Sequence, residues 1–237
     1  MAPNSSQTDT SQTDRVRVEV KGAAIPALGL GTWDLRGAAC ERAVGAALSL
    51  GYRHIDTAWF YGNEKEVGGV AREEVFLTTK LWSDELRPEM LRRALPESLR
   101  RLRCAYVDLL LIHWPSAEVP LEATLDAMSE LQDKGLARHL GVSNFPRALI
   151  DRAAASHGDR LVCNQLEYHP FLSQATALAA AEHHDLALTA YCPLARGRAA
   201  EHPLLREIAA GRGRQHGPVP HPMEIQPPPR VAQPKAA

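Results

Sequence analysis

VDLLLIHW, residues 107–114, is an almost unbroken apolar run that stops on a histidine, and LALTAYC, residues 186–192, repeats the form and stops near a tyrosine. A half-solvated strand would alternate apolar and polar positions, so runs of this kind read as strands covered on both faces. The segments between such runs carry a helical period instead. Leu91, Leu95, Leu99 and Leu102 recur on one face, as do Leu121, Leu125, Met128 and Leu131, with Gly135 placed to end the second helix. Upstream, VRVEV (16–20) and AAIPALGLGTW (23–33) predict a small hairpin followed by a first core strand. Alternation of strand and helix signals from Arg15 onward is the pattern of parallel α/β architecture.

The places where the strand runs stop carry more information than the runs. Successive strands end at or near Thr32, Asp56, Lys80, His113, Ser143–Asn144, Gln165 and Tyr191, one supersecondary unit apart each time. Seven such units predict a (β/α)8 TIM-type barrel whose eighth unit is missing or altered. In a parallel barrel all these strand ends meet at one mouth, so a carboxylate, an amine, an imidazole and several amides and hydroxyls should converge there. A doubly wound sheet would need a glycine-rich phosphate loop after its first strand. Gly29-Leu30-Gly31 supplies only the first half of that loop, and Asp34 stands where its third small residue belongs.

Composition narrows the class of partner. The 237 residues are 45% apolar with a formal net charge of -1, enough for one sizeable core and too neutral for an electrostatic grip on nucleic acid or an anionic membrane. A small molecule is the expected partner, and a monomer the expected state. Cys40, Cys104, Cys163 and Cys192 lack CxxC spacing and read as free thiols, which suits a cytoplasmic location. The division expected is a tail over 1–14, a barrel domain over 15–211 and a proline-rich tail over 212–237.

GYRHIDTAWFYGNE (51–64), TTKLW (78–82), LLIHWP (110–115), GVSNF (141–145), NQLEYHP (164–170) and AYCPLARG (190–197) occur in this order. Over about residues 16 to 210 the chain resembles the aldo-keto reductases, in their bacterial, 2,5-diketogluconate-reductase-like form. That resemblance implies reduction of aldehydes and ketones by NADPH, with NADH as the other candidate donor. It implies Asp56, Tyr61, Lys80 and His113 as a catalytic tetrad, and Thr32, Asp56, Ser143, Asn144, Gln165, Tyr191 and Leu194 as cofactor residues. Ser143, Asn144 and Gln165 would hold the nicotinamide carboxamide, Tyr191 would stack on the ring, and Leu194 would pass near the pyrophosphate.

Elementary chemistry agrees with the tetrad. Carbonyl reduction needs a proton donor to the forming alkoxide, and a phenol is a reluctant one unless a nearby ammonium lowers its pKa. Tyr61 is the expected acid and Lys80 the expected ammonium. Asp56 compensates the buried cation, and a neutral His113 orients the carbonyl oxygen. Taken singly, each of these residues has an ordinary structural reading as half of an ion pair or a satisfied strand-end side chain. Trp33, Trp59, Trp82 and Trp114 each follow a strand end, which predicts an aromatic-lined substrate pocket that also includes His113.

Two stretches depart from the family pattern. Between Glu64 and the TTKLW strand there is room for only one to two turns of the second barrel helix. After PLLREIAA, residues 212–237 hold seven prolines and no helical or strand period. Because proline cannot donate to a sheet ladder, this tail is not expected to supply a central eighth strand, and the barrel should be open between its seventh and first strands. Open apolar edges would make the chain prone to aggregate. Family members bind the adenosine 2′-phosphate through a basic motif after the eighth strand, for which only Pro234-Lys235 stands here. A catalytically impaired fragment, or a cofactor-binding regulatory module, is therefore the alternative to an active reductase. Tyr61 and Lys65 also have the YxxxK spacing of short-chain dehydrogenases, but without the helix and dinucleotide loop that such enzymes require.

Overall fold

The computed structural model describes residues 16–211 and 222–226. A hairpin of β1 (Arg17–Val20) and β2 (Ala23–Pro26) comes first, followed by β3 (Leu28–Gly31), α1 (Gly37–Ser49), β4 (His54–Asp56), α2 (Glu64–Val67) and β5 (Phe76–Leu81). Then come α3 (Pro88–Leu102), β6 (Val107–Ile112), α4 (Leu121–Asp133), β7 (Ala137–Ser143), α5 (Arg147–His157), β8 (Leu161–Glu167), α6 (Ala175–His183) and β9 (Ala187–Tyr191). The chain continues through α7 (Arg198–Glu201), α8 (Pro203–Gly211) and β10 (Pro222–Gln226). Strands β3 through β9 are parallel and adjacent in chain order, as the strand-end spacing predicts.

Every residue of β5 and β6 is buried, because helices cover the outside while side chains fill the barrel. The periodic leucines do the covering: Leu91, Leu95, Leu99 and Leu102 of α3, with Leu125, Met128 and Leu131 of α4, are all buried in one cluster. Gly135, at φ +73°, follows α4 in the left-handed conformation that a side chain disfavours, so the helix stops where the sequence places its stop. The hairpin plugs the end of the barrel opposite the mouth. Val18, Val20, Ala23 and Ile25 pack there against Phe76, Leu109, Leu111 and Val162. Lys21, in the hairpin turn, fixes it by donating to the carbonyls of Gly158, Leu161 and His184 at 2.6, 3.1 and 2.8 Å. The second barrel helix, α2, is a single turn, as expected.

The expectation of an open barrel is corrected. β10 lies between β9 and β3, antiparallel to both, and closes the sheet. Pro222 pairs with Leu30, and Glu224 pairs with Leu28 on one side and Ala190 on the other. Proline density hides this strand from a reading of composition, yet the only proline within PMEIQ is its first residue, where a missing N–H is tolerated. The edges of β3 and β9 are thus paired, and the reason for expecting aggregation falls away. The eighth unit is altered all the same: its strand is reversed, and no helix follows it among the described residues. Reversal puts Pro222 at the mouth and Gln226 at the opposite end. The tail expected over 1–14 and Pro234-Lys235 lie outside the described residues.

Candidate active site

Asp56 ends β4, and Lys80 lies on the adjacent β5, both buried. Lys80 Nζ donates to Asp56 Oδ1 in a short ion pair, to the Thr57 carbonyl at 3.0 Å and to Tyr61 Oη at 3.3 Å. These three partners use all three ammonium hydrogens. Gln165, from β8 across the barrel, donates through Nε2 to the other carboxylate oxygen of Asp56 at 2.9 Å. The carboxylate is thus held from both sides, as a buried charge requires. Tyr61 ends a 3₁₀ turn, Trp59–Tyr61, closed by Gly62 at φ +66°, where a side chain would be strained. The His113 ring meets the Tyr61 ring edge-on, with centroids 5.5 Å apart.

Burial pushes the Tyr61 hydroxyl above its ordinary value, and Lys80 opposes that push without overcoming it. Lys80 lowers the phenol as expected, through its charge and its hydrogen bond, but desolvation is the larger effect, and Tyr61 is a neutral phenol at neutral pH. Burial works to lower the Lys80 ammonium, but Asp56 and Tyr61 together hold it above its usual value. His113 is pushed down to about 3, first by burial and then by Lys80, which makes it a neutral imidazole. Its Nδ1 is buried without a hydrogen-bond partner among the described residues.

The remaining predicted residues gather around the same mouth with unequal freedom. Asn144, at φ +62°, donates through Nδ2 to the His113 carbonyl at 3.0 Å and to Ser143 Oγ at 3.1 Å, and its Oδ1 accepts the Tyr191 hydroxyl at 2.9 Å. Tyr191 is half-buried at the end of β9. Leu194 sits in the following turn, where Cys192, Ala195 and Arg196 all have left-handed backbone. Thr32 is buried and spends its hydroxyl on the Asp56 carbonyl at 2.9 Å, which makes it a clamp between β3 and β4.

The aromatic residues divide differently from the expectation. Trp33 and Trp82 line the mouth, but Trp59 turns onto the hydrophobic core. Phe60, which the sequence reading passes over, takes the place expected for Trp59. It is 45% exposed, stacks on Trp82 at 4.2 Å and lies parallel to Trp33 at 6.2 Å. In a 3₁₀ turn three residues make one revolution, so neighbours on it face different ways. Trp114 is exposed beyond His113. A separate cleft of about 580 Å³, lined by Pro115, Val119, Phe145 and Leu149, contains none of the tetrad.

Residues 27–215 match the profile of the Aldo/keto reductase family. The chain belongs to that family of oxidoreductases. It is 43% identical to the methylglyoxal reductase DkgB of Escherichia coli O157:H7 over 196 residues, which are 79% of this chain and 73% of that protein. Among solved structures it is similar to a putative 2,5-diketo-D-gluconic acid reductase B, with a TM-score of 0.81 and 43% identity, covering 83% of this chain and 72% of that one. It is also similar to the aldose reductase of Schistosoma japonicum, with a TM-score of 0.78 and 33% identity, covering 84% and 75%. The profile match ends before β10, so the reversed strand lies outside the segment this family member shares with the profile.

The nicotinamide half of a dinucleotide fits the residues present. A partly exposed Tyr191 ring offers a stacking face, and Ser143, Asn144 and Gln165 bring a hydroxyl and two amides to the same mouth, with the Asn144 hydrogens engaged by His113 and Ser143 and a Gln165 hydrogen by Asp56. Among the described residues no group of histidines, cysteines and carboxylates could hold a metal ion, and no helix is long and apolar enough to cross a membrane.

Proposed function

We propose that this chain reduces small aldehydes and ketones to alcohols, with Tyr61 as the proton donor and NADPH as the reductant. The observation that carries the reading is the buried Lys80 ammonium set between Asp56 and the Tyr61 hydroxyl. Bound NADPH supplies the hydride; all else in the chemistry falls to the protein. Ser143, Asn144, Gln165 and Tyr191 would hold the nicotinamide, and Leu194 would lie near the pyrophosphate.

As the carbonyl oxygen gains negative charge, Tyr61 Oη–H is positioned to donate to it. The phenolate left behind is stabilised by Lys80 Nζ 3.3 Å away, a charge that strengthens its hold only as the negative charge develops. Asp56 keeps Lys80 charged and in place, and Gln165 keeps Asp56 in place. Neutral His113 accepts or donates one hydrogen bond without adding charge, which suits it to aligning the carbonyl oxygen. Trp33, Phe60 and Trp82 form an apolar wall against which a carbonyl substrate packs, with Trp114 exposed near His113. A small-molecule carbonyl, a monomeric chain and a cytoplasmic setting complete the reading.

Replacing Tyr61 by Phe tests the assignment. Turnover with an aromatic aldehyde, followed by NADPH oxidation, should fall by roughly 10²–10⁴ while NADPH affinity stays nearly unchanged, because only the transition state loses an interaction. A variant within about threefold of the parent would sink it. Parallel titrations with NADPH and NADH rank the two donors.

A further inference from the structure

We propose that Asn63 is a positioning residue that sets the Tyr61 hydroxyl over Lys80 by closing the loop that carries it. The inference rests on the reading of Tyr61 as proton donor. Asn63 follows Tyr61 by two residues, is 1% exposed and has every side-chain hydrogen-bonding group engaged. Its Oδ1 accepts the Thr57 hydroxyl at 2.7 Å. Its Nδ2 donates to the carbonyl of Thr32 at 2.8 Å and to that of Leu35 at 2.9 Å.

These bonds define a closed unit. Residues 57–63 leave the end of β4 and return to it, and the Thr57–Asn63 side-chain bond ties the two ends together. Inside the loop, Tyr61 N–H donates to the Ala58 carbonyl at 3.0 Å and Gly62 N–H to the Trp59 carbonyl at 3.3 Å, so the turn has little slack. The two Nδ2 bonds then pin the closed loop to the chain leaving β3. Thr57 is itself fixed on both sides: its N–H donates to Thr78 of β5 at 2.9 Å, and its carbonyl accepts Lys80 Nζ at 3.0 Å. Asn63 therefore measures the position of Tyr61 against the same residue that holds the Lys80 ammonium. Glu64, the next residue, anchors the far side by accepting the Thr79 hydroxyl at 2.7 Å.

A displacement of about 1 Å at a reacting group can cost on the order of 10²-fold in rate, so such a tie matters even though it touches neither substrate nor cofactor. The titratable groups facing the Tyr61 hydroxyl are Lys80 on β5, Asp56 on β4, His113 after β6, Tyr191 at the end of β9 and Cys192 after it. Of these only Lys80 favours its ionised form. When the hydroxyl drifts from Nζ, that help weakens, and the pH at which the donor loses its proton should rise.

The test uses the full chain with Asn63→Leu, close to asparagine in size but unable to make any of the three bonds. We expect kcat to fall about 10–100-fold with KM within about threefold, and the alkaline limb of the kcat profile to move to higher pH. In a Tyr61→Phe background the same change should cost less than about threefold, because it acts through the hydroxyl already removed. An equal loss in both backgrounds, or an unmoved alkaline limb, overturns the proposal. If Asn63→Leu does not fold, Thr57→Val removes the closing bond alone and Thr57→Ser keeps it. The valine variant should show the same shift on a smaller scale and the serine variant should restore most of the loss; valine and serine behaving alike overturns it. Retained activity in Tyr61→Phe alone instead refutes the proton-donor reading, and the two failures are thereby distinct.

Discussion

At the scale of single residues, burial decides the charge states, and one histidine outside the reacting set makes this measurable. His54 on β4 is enclosed below Asp56, bonded through Nε2 to Thr78 Oγ1 at 3.0 Å and packed edge-on against Phe76, and burial chiefly lowers its pKa to about 4. An unfolded histidine titrates near ~6.5, so as pH falls from there toward 4 the unfolded chain takes up a proton that the folded one refuses. Stability present above that window is lost on descending through it, by up to about 1.4 kcal/mol per pH unit for each such imidazole, and His113 adds a second. Replacing His54 by Gln should flatten the acid side of a stability profile measured by urea unfolding; an unchanged slope would show that His54 is not the group being titrated. Asp56, Lys80 and His113 are legible in the sequence because strand ends of a parallel barrel must meet. Phe60 and Asn63 are not, since nothing in WFYGNE says which ring faces outward or which amide turns back to Thr57.

Among elements, the short α2 shows how a missing helix is replaced by charge. Where neighbouring units bury whole apolar faces, this single turn buries Val67 alone beside Glu64, which is 1% exposed and bonded to Thr79 and to Arg101 Nε of α3 at 2.8 Å. The sequence reveals the shortage of apolar residues after Glu64, whereas the pairing partner lies 37 residues away and emerges only when α3 packs beside α2. Glu64 is buried while Arg101 is 26% exposed, so removing the guanidinium leaves a buried carboxylate without its partner, and Arg101→Met should destabilise the fold by about 2 kcal/mol. The exposed Arg92–Glu130 pair, with side chains 41% and 46% exposed, is the control, and Arg92→Met should change stability little. Equal effects of the two variants in urea unfolding would mean that the Glu64 charge finds solvent instead.

For the molecule as a whole, the decisive feature is the reversed eighth strand. Seven parallel strands follow from the apolar runs and their spacing, but the closing strand does not, because a five-residue segment between prolines carries no period of its own and takes its place only by pairing with two existing edges. That dependence runs both ways. β10 pairs three residues with β3 and three with β9, and ladder bonds contribute roughly 0.5–1.5 kcal/mol each. Ending the chain after Gly211 should therefore cost several kcal/mol, a fall on the order of 10 °C in the melting temperature of a domain of this size. It should also bare the edges of β3 and β9, and unpaired edges template association with other chains. Glu224→Pro is the finer version of the experiment: its neighbours lie on both sides, so a lost N–H there breaks a ladder without shortening the chain. We expect both variants to melt earlier than the full chain, with the truncated one also forming larger species in size-exclusion chromatography at concentrations where the full chain does not. Unchanged melting and elution for both would mean that the barrel is stable with a gap between β9 and β3, and that residues 222–226 contribute nothing to its closure.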